Sequence, residues 1–359
     1  MQEVHPRKSN GSFQQVQKVE GVPVNDLKVF AGSTSRAFTE RICKFLGVEM
    51  GRSETITFSE GNTFVRIIES VRDKDIYLVQ PIALRPNDEF VEILFWLDAF
   101  KRAGAQSVTA IIPYFGYAKG DKKDEPRVAI RARVCADAIE QAGADRILTM
   151  DLHSPQIQGF FKKPVDHLHA LPILAAYLES LHLTDPVIVS PDAGFAKQAR
   201  QYARRLGYHV AIGMKVREGH DENARVLDII GDVANRDAII VDDFSISGRT
   251  LTSVAEALEA NDARRIFACL SHVLLNEAAV ERIEASPIEM LITTDSVANP
   301  AIVGSRKIRV VSVAPFFAEA IKRIHARESV STLFDALPEG VVDAAIAFDL
   351  TADVTQRSR

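Results

Sequence analysis

Short apolar runs alternate with longer segments of helical periodicity along most of this chain. The runs are rich in β-branched residues, as buried strands are, and helical segments follow most of them. In the first half the predicted elements are strand Leu27–Ala31, helix Ser35–Leu46, strand Ile76–Gln80, helix Asp88–Ala103, strand Ser107–Ile112, helix Arg131–Ala142 and strand Arg146–Leu152. In the second half they are strand Val187–Ser190, helix Phe195–Leu206, strand Ala238–Val241, helix Thr250–Ala260 and strands Ile266–Ser271 and Met290–Thr293.

This alternation of strands and helices predicts an α/β fold in which mainly parallel sheets are covered by helices. With 359 residues, the chain is long enough for two domains of ordinary size. Ligands of such folds bind beyond the carboxyl ends of the strands. Functional residues are therefore expected in the loops that follow the strands.

The composition is that of an ordinary globular protein, with 47% hydrophobic and 25% charged residues. The net charge of −5 argues against binding nucleic acid through bulk positive charge. No run of about 18 apolar residues predicts a membrane span, and the polar N-terminus lacks the apolar region of a secretory signal. The three cysteines are widely spaced and are expected to be reduced thiols, so a cytoplasmic location is predicted.

The segment that follows the predicted strand Ala238–Val241 carries the strongest functional signal. Two adjacent carboxylates, Asp242 and Asp243, stand at the end of this strand, where they would hold ribose hydroxyls or a hydrated cation. Small residues let a backbone close around an anion, and the N–H groups of a helix N-terminus bind phosphate. The residues expected to form this phosphate loop are Ser245, Ser247, Gly248, Arg249 and Thr250.

Two further strand ends carry candidate ligands. Asp151 and His153 lie at the end of an apolar strand, so His153 can project into a ligand-binding cleft at that edge of the sheet. Taken by itself, His153 could instead be a capped histidine on the surface. Asp192 follows the predicted strand Val187–Ser190. Mg²⁺ keeps several waters and takes other oxygens from substrate phosphates, so one carboxylate such as Asp192 is chemically sufficient.

The phosphate loop resembles that of phosphoribosyltransferases and ribose-phosphate pyrophosphokinases (PRPP synthases), whose usual form is Asp-Asp-x-x-Asp/Ser-Thr-x-x-Thr. Asp242, Asp243 and Thr250 match this form, and Ser247 stands for a Thr. Other segments resemble PRPP synthases in particular: IIPYFGYAKGDKKDEPR, TMDLHSPQIQGFFKKPVDHLHALPIL, SPDAG and VVSVAPFFAEAIKRIHARESVSTLF. Because these segments occur in consistent order over about residues 27 to 335, the chain is identified as a member of the PRPP synthase family.

The resemblance implies two phosphoribosyltransferase type I-like domains, each with a mainly parallel sheet flanked by helices. The expected division is a polar N-terminal extension (1–25), an N-terminal domain (26–165, joined by about 326–345), a C-terminal domain with the phosphate loop (166–325) and a tail (346–359). The substrates implied are ATP and ribose 5-phosphate, or another sugar phosphate, with Mg²⁺ as cofactor. A homo-oligomer such as a hexamer is also implied, with no nucleic-acid or membrane partner.

Individual residues take expected roles from the same resemblance. His153 and Asp192 would hold Mg²⁺, and His153 would also lie beside the ATP phosphates. Lys215 and Arg217 reproduce the Lys-x-Arg pair of a mobile catalytic loop. The other residues implied in ATP binding are Phe58, Glu60, Asn62, Lys119 and Asp121. The segment that begins at Phe58 would reach the ATP of a neighbouring subunit.

Several residues depart from the family pattern. Ile246 replaces an acidic residue and Arg249 replaces a Gly in the phosphate loop, while Asn62 replaces a carboxylate. Lys119 and Gly120 replace the Arg-Gln pair of the nucleotide site, which removes a planar guanidinium and an amide. These departures lie in both substrate sites, so altered nucleotide or sugar specificity is a prediction of the sequence.

The expected reaction is transfer of the β,γ-diphosphoryl group of ATP to the anomeric hydroxyl of ribose 5-phosphate, which gives PRPP and AMP. Three alternatives stay open at this point: a diphosphokinase for a different sugar phosphate, a non-catalytic regulatory paralogue and a phosphoribosyltransferase. The products distinguish them, because a synthase releases AMP, a phosphoribosyltransferase releases pyrophosphate, and a regulatory paralogue alone releases neither.

Overall fold

A computed structural model gives the fold and describes residues 26–217, 225–335 and 337–347. Its helices are α1 (Arg36–Leu46), α2 (Pro86–Arg102), α3 (Arg131–Ala142), α4 (Leu171–Ser180), α5 (Ala196–Leu206), α6 (Arg249–Ala260), α7 (Glu277–Ala285), α8 (Ala314–Ala326), α9 (Thr332–Asp335) and α10 (Glu339–Ile346). Its strands are β1 (Leu27–Ala31), β2 (Ser53–Thr57), β3 (Thr63–Ile67), β4 (Asp75–Val79), β5 (Ser107–Ile112), β6 (Arg146–Met150), β7 (Val165–Leu168), β8 (Val187–Ser190), β9 (His209–Arg217), β10 (Arg225–Ile230), β11 (Asp237–Ser245), β12 (Arg265–Val273), β13 (Ile288–Thr294) and β14 (Ile308–Val311). None of the helices in these ranges has the length and apolar character needed to cross a membrane.

The strands form two large sheets and one small hairpin. The first sheet has the order β1-β4-β5-β6-β7 and is parallel throughout. The second has the order β10-β9-β8-β11-β12-β13-β14 and is parallel except where β10 pairs with β9 at its edge. The hairpin β2–β3 is antiparallel. The predicted α/β fold with mainly parallel sheets is therefore confirmed.

Three apolar clusters pack the helices against the sheets. One lies between the first sheet and helices α2 and α3, and Trp96 and Phe100 are among its largest side chains. A second lies between the second sheet and helices α6 and α7 and includes Leu258. The third combines Val79 of the first sheet with Val241 of the second. Because this last cluster draws on both sheets, the two halves of the chain share one hydrophobic interior.

The C-terminal helices return to the first half of the chain. Helix α8 packs against α1, where the rings of Phe317 and Phe38 meet edge to face with centroids 5.6 Å apart. Helix α10 packs against α8 and α4 and buries Val341 and Ala345 in the shared interior. These contacts place the end of the described chain against both halves.

Strand β11 is longer than its apolar run predicts. It continues past Val241 to Ser245, so Asp242 and Asp243 lie within the strand and not in a loop. The neighbouring strand β12 supplies the partners, since Asp242 pairs with Leu270 and Ser245 with Val273. Tertiary pairing thus overrides the low strand propensity of two aspartates.

A buried carboxylate fixes the beginning of β11. The Asp237 side chain is 0% exposed and accepts hydrogen bonds from Arg265 Nη2 at 2.5 Å and Arg264 Nε at 3.0 Å. Its other donor is the Thr184 backbone N–H, at 2.8 Å. Burial alone would raise the pKa of Asp237, but these donors hold it at about 2. The charged carboxylate is therefore the form that the fold stabilises.

We expect Asp237→Asn to lower the free energy of unfolding at pH 7 by up to about 2 kcal/mol, which corresponds to the lowered pKa. The stabilisation that a lowered pKa gives to the folded state is fully present above the unfolded pKa of about 4. It is lost as the pH falls through the folded pKa of about 2. The difference between wild type and variant should therefore shrink from about pH 5 downwards in urea-unfolding experiments. Asp98→Asn, at the exposed pair with Arg102, is the control and should change little at any pH. A wild-type advantage that is independent of pH would contradict this role of Asp237.

Candidate active site

Residues from both halves of the chain line one cleft. A cavity of about 250 Å³ opens there, and its walls include Asp151 and His153 from the first half. Asp243, Ser271 and Tyr202 line it from the second half. The ends of β6, β11 and β12 therefore meet at the place where ligands of parallel α/β folds bind.

Hydrogen bonds cross the base of this cleft. Ser271 Oγ donates to Asp151 Oδ2 at 2.5 Å. The fully buried His272 has Nε2 3.2 Å from the carbonyl oxygen of Met150 and Nδ1 2.7 Å from Ser296 Oγ. Buried polar groups need such partners, because no water replaces them. The end of β6 is thus tied directly to the end of β12.

Asp151 organises the turn that leads to His153. Its backbone has φ of +40°, an uncommon value for a residue other than glycine. Its Oδ1 lies 3.0 Å from His169 Nδ1, and its Oδ2 also accepts the Ala170 backbone N–H at 3.0 Å. Burial would raise the pKa of Asp151, but the bonds from His169 and Ser271 hold it at about 2. The anionic Asp151 therefore holds the turn in its strained form.

His153 and Asp243 meet across the cleft. His153 Nδ1 lies 2.7 Å from Asp243 Oδ2, and this hydrogen bond raises the pKa of His153. Asp243 also accepts the Phe244 backbone N–H at 2.8 Å through Oδ1. The structure thus joins the histidine predicted for ATP and Mg²⁺ to a carboxylate predicted for the sugar phosphate.

Three carboxylates crowd the end of β11. Burial, followed by the neighbouring charges of Asp243 and Asp192, raises the pKa of Asp242 well above its usual range. Asp192 Oδ1 accepts the backbone N–H groups of Gly194 at 2.8 Å and Phe195 at 3.3 Å, which orients its carboxylate at the start of α5. Clustered oxygen donors with mutual repulsion are suited to a hard divalent cation such as Mg²⁺. The residues present therefore fit the predicted cofactor.

A second group of metal-type ligands lies nearby. Among the described residues, the ligand atoms of Asp151, His167 and His169 lie within 4.8 Å of one another. His167 Nε2, however, accepts the Leu152 backbone N–H at 2.9 Å, so its proton is on Nδ1. Burial lowers the pKa of His167 to about 4, which keeps it neutral. His167 Nε2 is thus unavailable to a metal ion, and the group acts as a structural support for the cleft.

The phosphate loop has the form of an open anion site. Gly248 has φ of +70° and immediately precedes α6 without a side chain to cap it, and the Arg249 N–H donates only a long bond, 3.5 Å, to Ser247 Oγ. Gly248 N–H donates to Ser245 Oγ at 3.2 Å, and Arg282 donates to the Ser247 carbonyl oxygen. Ser247, Arg249 and Thr250 are exposed. The N–H groups at the start of α6 are therefore available to a phosphate.

Phe244 connects the predicted nucleotide segment to the phosphate loop. The Lys119 ammonium lies 4.2 Å from the centroid of its ring, within the range of a cation–π interaction. The rings of Tyr114 and His153 meet it edge to face at 5.9 and 5.7 Å. The charge of Asp121 also acts on His153 and favours its protonated form. Lys119 and Asp121 thus belong to the cleft.

The other residues predicted to bind ATP, Phe58, Glu60 and Asn62, lie elsewhere. Phe58 and Asn62 flank the tip of the hairpin β2–β3, where the Phe58 N–H donates to the Asn62 carbonyl oxygen at 2.8 Å. The Phe58 ring is 44% exposed and contacts Phe64 of the same hairpin. Within the described part of the chain, none of the residues Phe58, Glu60 and Asn62 has a hydrogen bond or ring contact with the cleft residues.

Lys215 and Arg217 lie on the edge hairpin of the second sheet. Ser190 at the end of β8 pairs with Ile212, so β9 continues past the carboxyl end of β8. In the hairpin, Lys215 is opposite Leu227 and Arg217 is opposite Arg225. The backbone of both residues therefore extends on the side of the sheet where Asp192 lies. The adjoining predicted loop, 218–223, is outside the described residues.

Several site residues are absent from the sequence-based set. Phe244, Ser271 and His272 lie in strands whose apolar runs look like ordinary core, and His169 follows a short strand that the pattern does not predict. Their roles depend on contacts with residues far along the chain. The polar positions 271 and 272 at the end of an apolar strand are the one local signal that points to them.

Comparisons with known proteins agree with this arrangement. Residues 27–143 match the family model of the N-terminal domain of ribose phosphate pyrophosphokinase, and residues 217–335 match the phosphoribosyl synthetase-associated domain. The ribose-phosphate pyrophosphokinase of Caldanaerobacter subterraneus is 45% identical over 311 residues, which cover 86% of this chain and 98% of that protein. The Rhizobium meliloti protein of the same name is 42% identical over 311 residues, which cover 86% of this chain and 100% of that protein.

A solved structure gives the same result. The phosphoribosylpyrophosphate synthetase of Mycobacterium smegmatis superposes with a TM-score of 0.79 at 32% identity, with 84% of this chain and 99% of that chain covered. Sequence and fold therefore agree over nearly the whole length of these relatives. The chain belongs to the ribose-phosphate pyrophosphokinase family.

Proposed function

We propose that this protein transfers the β,γ-diphosphoryl group of ATP to the anomeric hydroxyl of ribose 5-phosphate and releases AMP and PRPP. The observation that carries this proposal is the 2.7 Å contact between His153 Nδ1 and Asp243 Oδ2, which brings the expected nucleotide and sugar-phosphate sites together. The relatives of 45% and 42% identity named ribose-phosphate pyrophosphokinase support the same reaction.

The sugar phosphate would bind to the phosphate loop. The exposed hydroxyls of Ser247 and Thr250, with the N–H groups at the start of α6, are the donors for its 5-phosphate. The side chains of Asp242 and Asp243 then lie beside the ribose and orient its hydroxyl groups. Arg249 adds positive charge at the rim of the loop. This arrangement directs the anomeric hydroxyl towards His153.

ATP would bind on the opposite side of the cleft, near His153, Lys119 and Asp121. Asp192 and His153 would hold Mg²⁺, with the carboxylates of β11 beside them. Bound Mg²⁺ would supply charge neutralisation to the ATP phosphates. The protein itself would align the attacking hydroxyl with the β-phosphorus, since such transfers depend on positioning and on stabilisation of charge.

Lys215 and Arg217 are the proposed catalytic residues. Their position on β9, beyond the end of β8, places their backbone on the cleft side of the sheet. Two cations there would stabilise the negative charge of the transferring diphosphoryl group and the departing AMP. They would also help to exclude water, which limits hydrolysis of ATP.

The quaternary organisation and the domain limits belong to the same proposal. The exposed tip of the hairpin β2–β3 supports a homo-oligomer in which Phe58, Glu60 and Asn62 contribute to the ATP site of a neighbouring subunit. The cysteines of the chain are unpaired and buried, which is compatible with the cytoplasm. Domain limits near residues 165 and 326 are proposed, and β7 extends the first sheet to Leu168.

The direct test of the function is AMP formation from ATP and Mg²⁺ with and without ribose 5-phosphate. We expect AMP release that requires the sugar and matches PRPP formation in amount. AMP formed only with another sugar phosphate would identify that sugar phosphate as the acceptor. Pyrophosphate released from PRPP and a base would identify a phosphoribosyltransferase. Binding of ATP without any transfer would point to a regulatory paralogue.

We expect Lys215→Ala and Arg217→Ala each to lower kcat by roughly 10²- to 10³-fold, as the loss of one donor to a developing charge does. The KM for ribose 5-phosphate should change much less, because the phosphate loop is intact. Steady-state kinetics and the thermal midpoint of each variant provide the measurement. Arg204→Ala, in the last turn of α5, is the matched loss of a cation outside the cleft. A kcat unchanged in both variants would remove these residues from the catalytic set.

We expect Thr250→Val to raise the KM for ribose 5-phosphate about 10-fold, since it removes one hydroxyl donor and preserves side-chain shape. The KM for ATP should stay within about 2-fold, because this hydroxyl lies on the sugar-phosphate side. Thr252→Val is the control, because the Thr252 hydroxyl already donates to the Arg249 carbonyl oxygen at 3.2 Å. An equal rise in both KM values would contradict the assignment of this loop to the sugar.

A further inference from the structure

The turn that contains Lys119 also contains Gly120, which the Arg131 side chain contacts closely. This glycine is buried, and it ends the short 3-10 turn Ala118–Gly120. A Cβ atom added to it would lie 2.7 Å from Arg131 Nε and 2.8 Å from Arg131 Cβ, closer than real side chains approach. The Arg131 side chain therefore occupies the space that a side chain at position 120 would need.

Arg131 lies where a helix does not favour a positive charge. It is the first residue of α3, and Ile130 before it provides no side-chain cap. The N-terminal end of a helix dipole is positive and is stabilised by anions, not cations. Within residues 26–217, 225–335 and 337–347, the Arg131 side chain has no hydrogen bond and no ion pair. Its guanidinium is thus exposed, unpaired and repelled by its own helix.

The neighbouring arginine on the same helix shows the contrast. Arg133 forms an ion pair with Asp137 at 2.7 Å and donates to the Phe160 carbonyl oxygen at 2.5 Å. The fold therefore satisfies one cation of this first turn with protein groups. The other cation, Arg131, is left with all its donors for a ligand.

The position of Arg131 points to the nucleotide. It packs against Gly120, between Lys119 and Asp121, whose charges both act on His153. The Lys119 ammonium is already engaged with the Phe244 ring, 4.2 Å from its centroid. An anionic group bound on the ATP side of this turn would thus meet the guanidinium of Arg131.

We propose that Arg131 is a nucleotide-positioning residue that binds the phosphate groups of ATP. This inference rests on the proposed function. Because Gly120 has no side-chain amide to donate hydrogen bonds, Arg131 would supply the donors to the nucleotide at this place. A guanidinium offers a planar fork of donors that matches phosphate oxygens in two parallel bonds. The glycine at 120 is then a requirement of the site, because it makes room for this arginine.

Direct binding of ATP with Mg²⁺ by calorimetry and steady-state kinetics together test the proposal. Arg131→Ala should weaken ATP binding and raise the KM for ATP by about 10- to 100-fold, the range of a lost charged hydrogen bond. Binding of adenosine and the KM for ribose 5-phosphate should stay unchanged. Arg131→Lys should give an intermediate loss, since it keeps the charge without the fork. Arg102→Ala, an exposed arginine on α2, is the control and should match wild type.

A second pair of variants tests the shared space. Gly120→Gln alone should weaken ATP binding, because the new side chain displaces Arg131. Adding Gly120→Gln to Arg131→Ala should cost much less than adding it to wild type, since the space is then free. Additive effects of the two substitutions would overturn the shared-space argument.

The outcomes separate this inference from the proposed reaction. If wild type forms AMP and Arg131→Ala binds ATP as wild type does, the role of Arg131 is wrong and the function stands. If Arg131→Ala weakens adenosine and ATP equally, the phosphate contact is wrong. If wild type binds ATP and forms no AMP, the reaction is wrong, while the binding comparison still decides the role of Arg131.

Discussion

The structure depends on hydrogen bonds that tie the carboxyl ends of the two sheets together. Asp151 at the end of β6 accepts from Ser271 on β12, and His272 next to it reaches the carbonyl oxygen of Met150. Ser271 and His272 are buried and Asp151 is half-buried, so loss of one partner would leave the other unsatisfied at a cost of about 1–3 kcal/mol. The cost fixes one relative position of β6 and β12. Since the candidate residues for nucleotide and sugar lie on these strands and their neighbours, the same bonds set the geometry of the cleft.

The chemistry of the cleft follows from charges that the fold forces together. Asp242, Asp243 and Asp192 stand close enough that their repulsion, after burial, raises the pKa of Asp242. His153 balances part of this charge through Asp243, and the proposed Mg²⁺ would balance more. Opposite these acids, the uncapped start of α6 attracts phosphate. Asp243 lines the cavity, and the phosphate loop begins two residues after it at Ser245.

The sequence predicts much of this architecture because its signals are local. Apolar runs and helical periodicity locate the central strands β4, β5, β6, β8, β11, β12 and β13, the edge strand β1 and the helices α1, α2, α3, α5 and α6, and the Asp242–Thr250 segment predicts the phosphate loop. The short strands β7 and β14, the edge hairpin β9–β10 and the helices α4, α7, α8, α9 and α10 are not among the predicted elements. The hairpin β2–β3 escapes the pattern, because residues such as Ile56 and Phe64 are exposed and its strands bury little apolar surface. The roles of Phe244 and His272 also escape it. Their importance comes from partners in the other half of the chain, which no local pattern contains.

The Gly120 and Arg131 positions illustrate the same limit. In the sequence, Gly120 is only a lost side chain, whereas in the structure its space is filled by a cation from α3. The side chain absent at position 120 is thus replaced in space by that of Arg131, and only the packing of the turn against α3 reveals that the two positions are related.

A double-mutant cycle on Asp151 and Ser271 tests whether the hydrogen bond between them governs catalysis. The kcat for AMP formation would be compared for Asp151→Asn, Ser271→Ala and the double variant, with thermal midpoints measured alongside. If the bond across the cleft positions the two substrate sites, each single substitution lowers kcat, and the double variant is about as slow as the slower single variant. Effects on kcat that multiply independently would contradict the claim that this bond sets the geometry of the site.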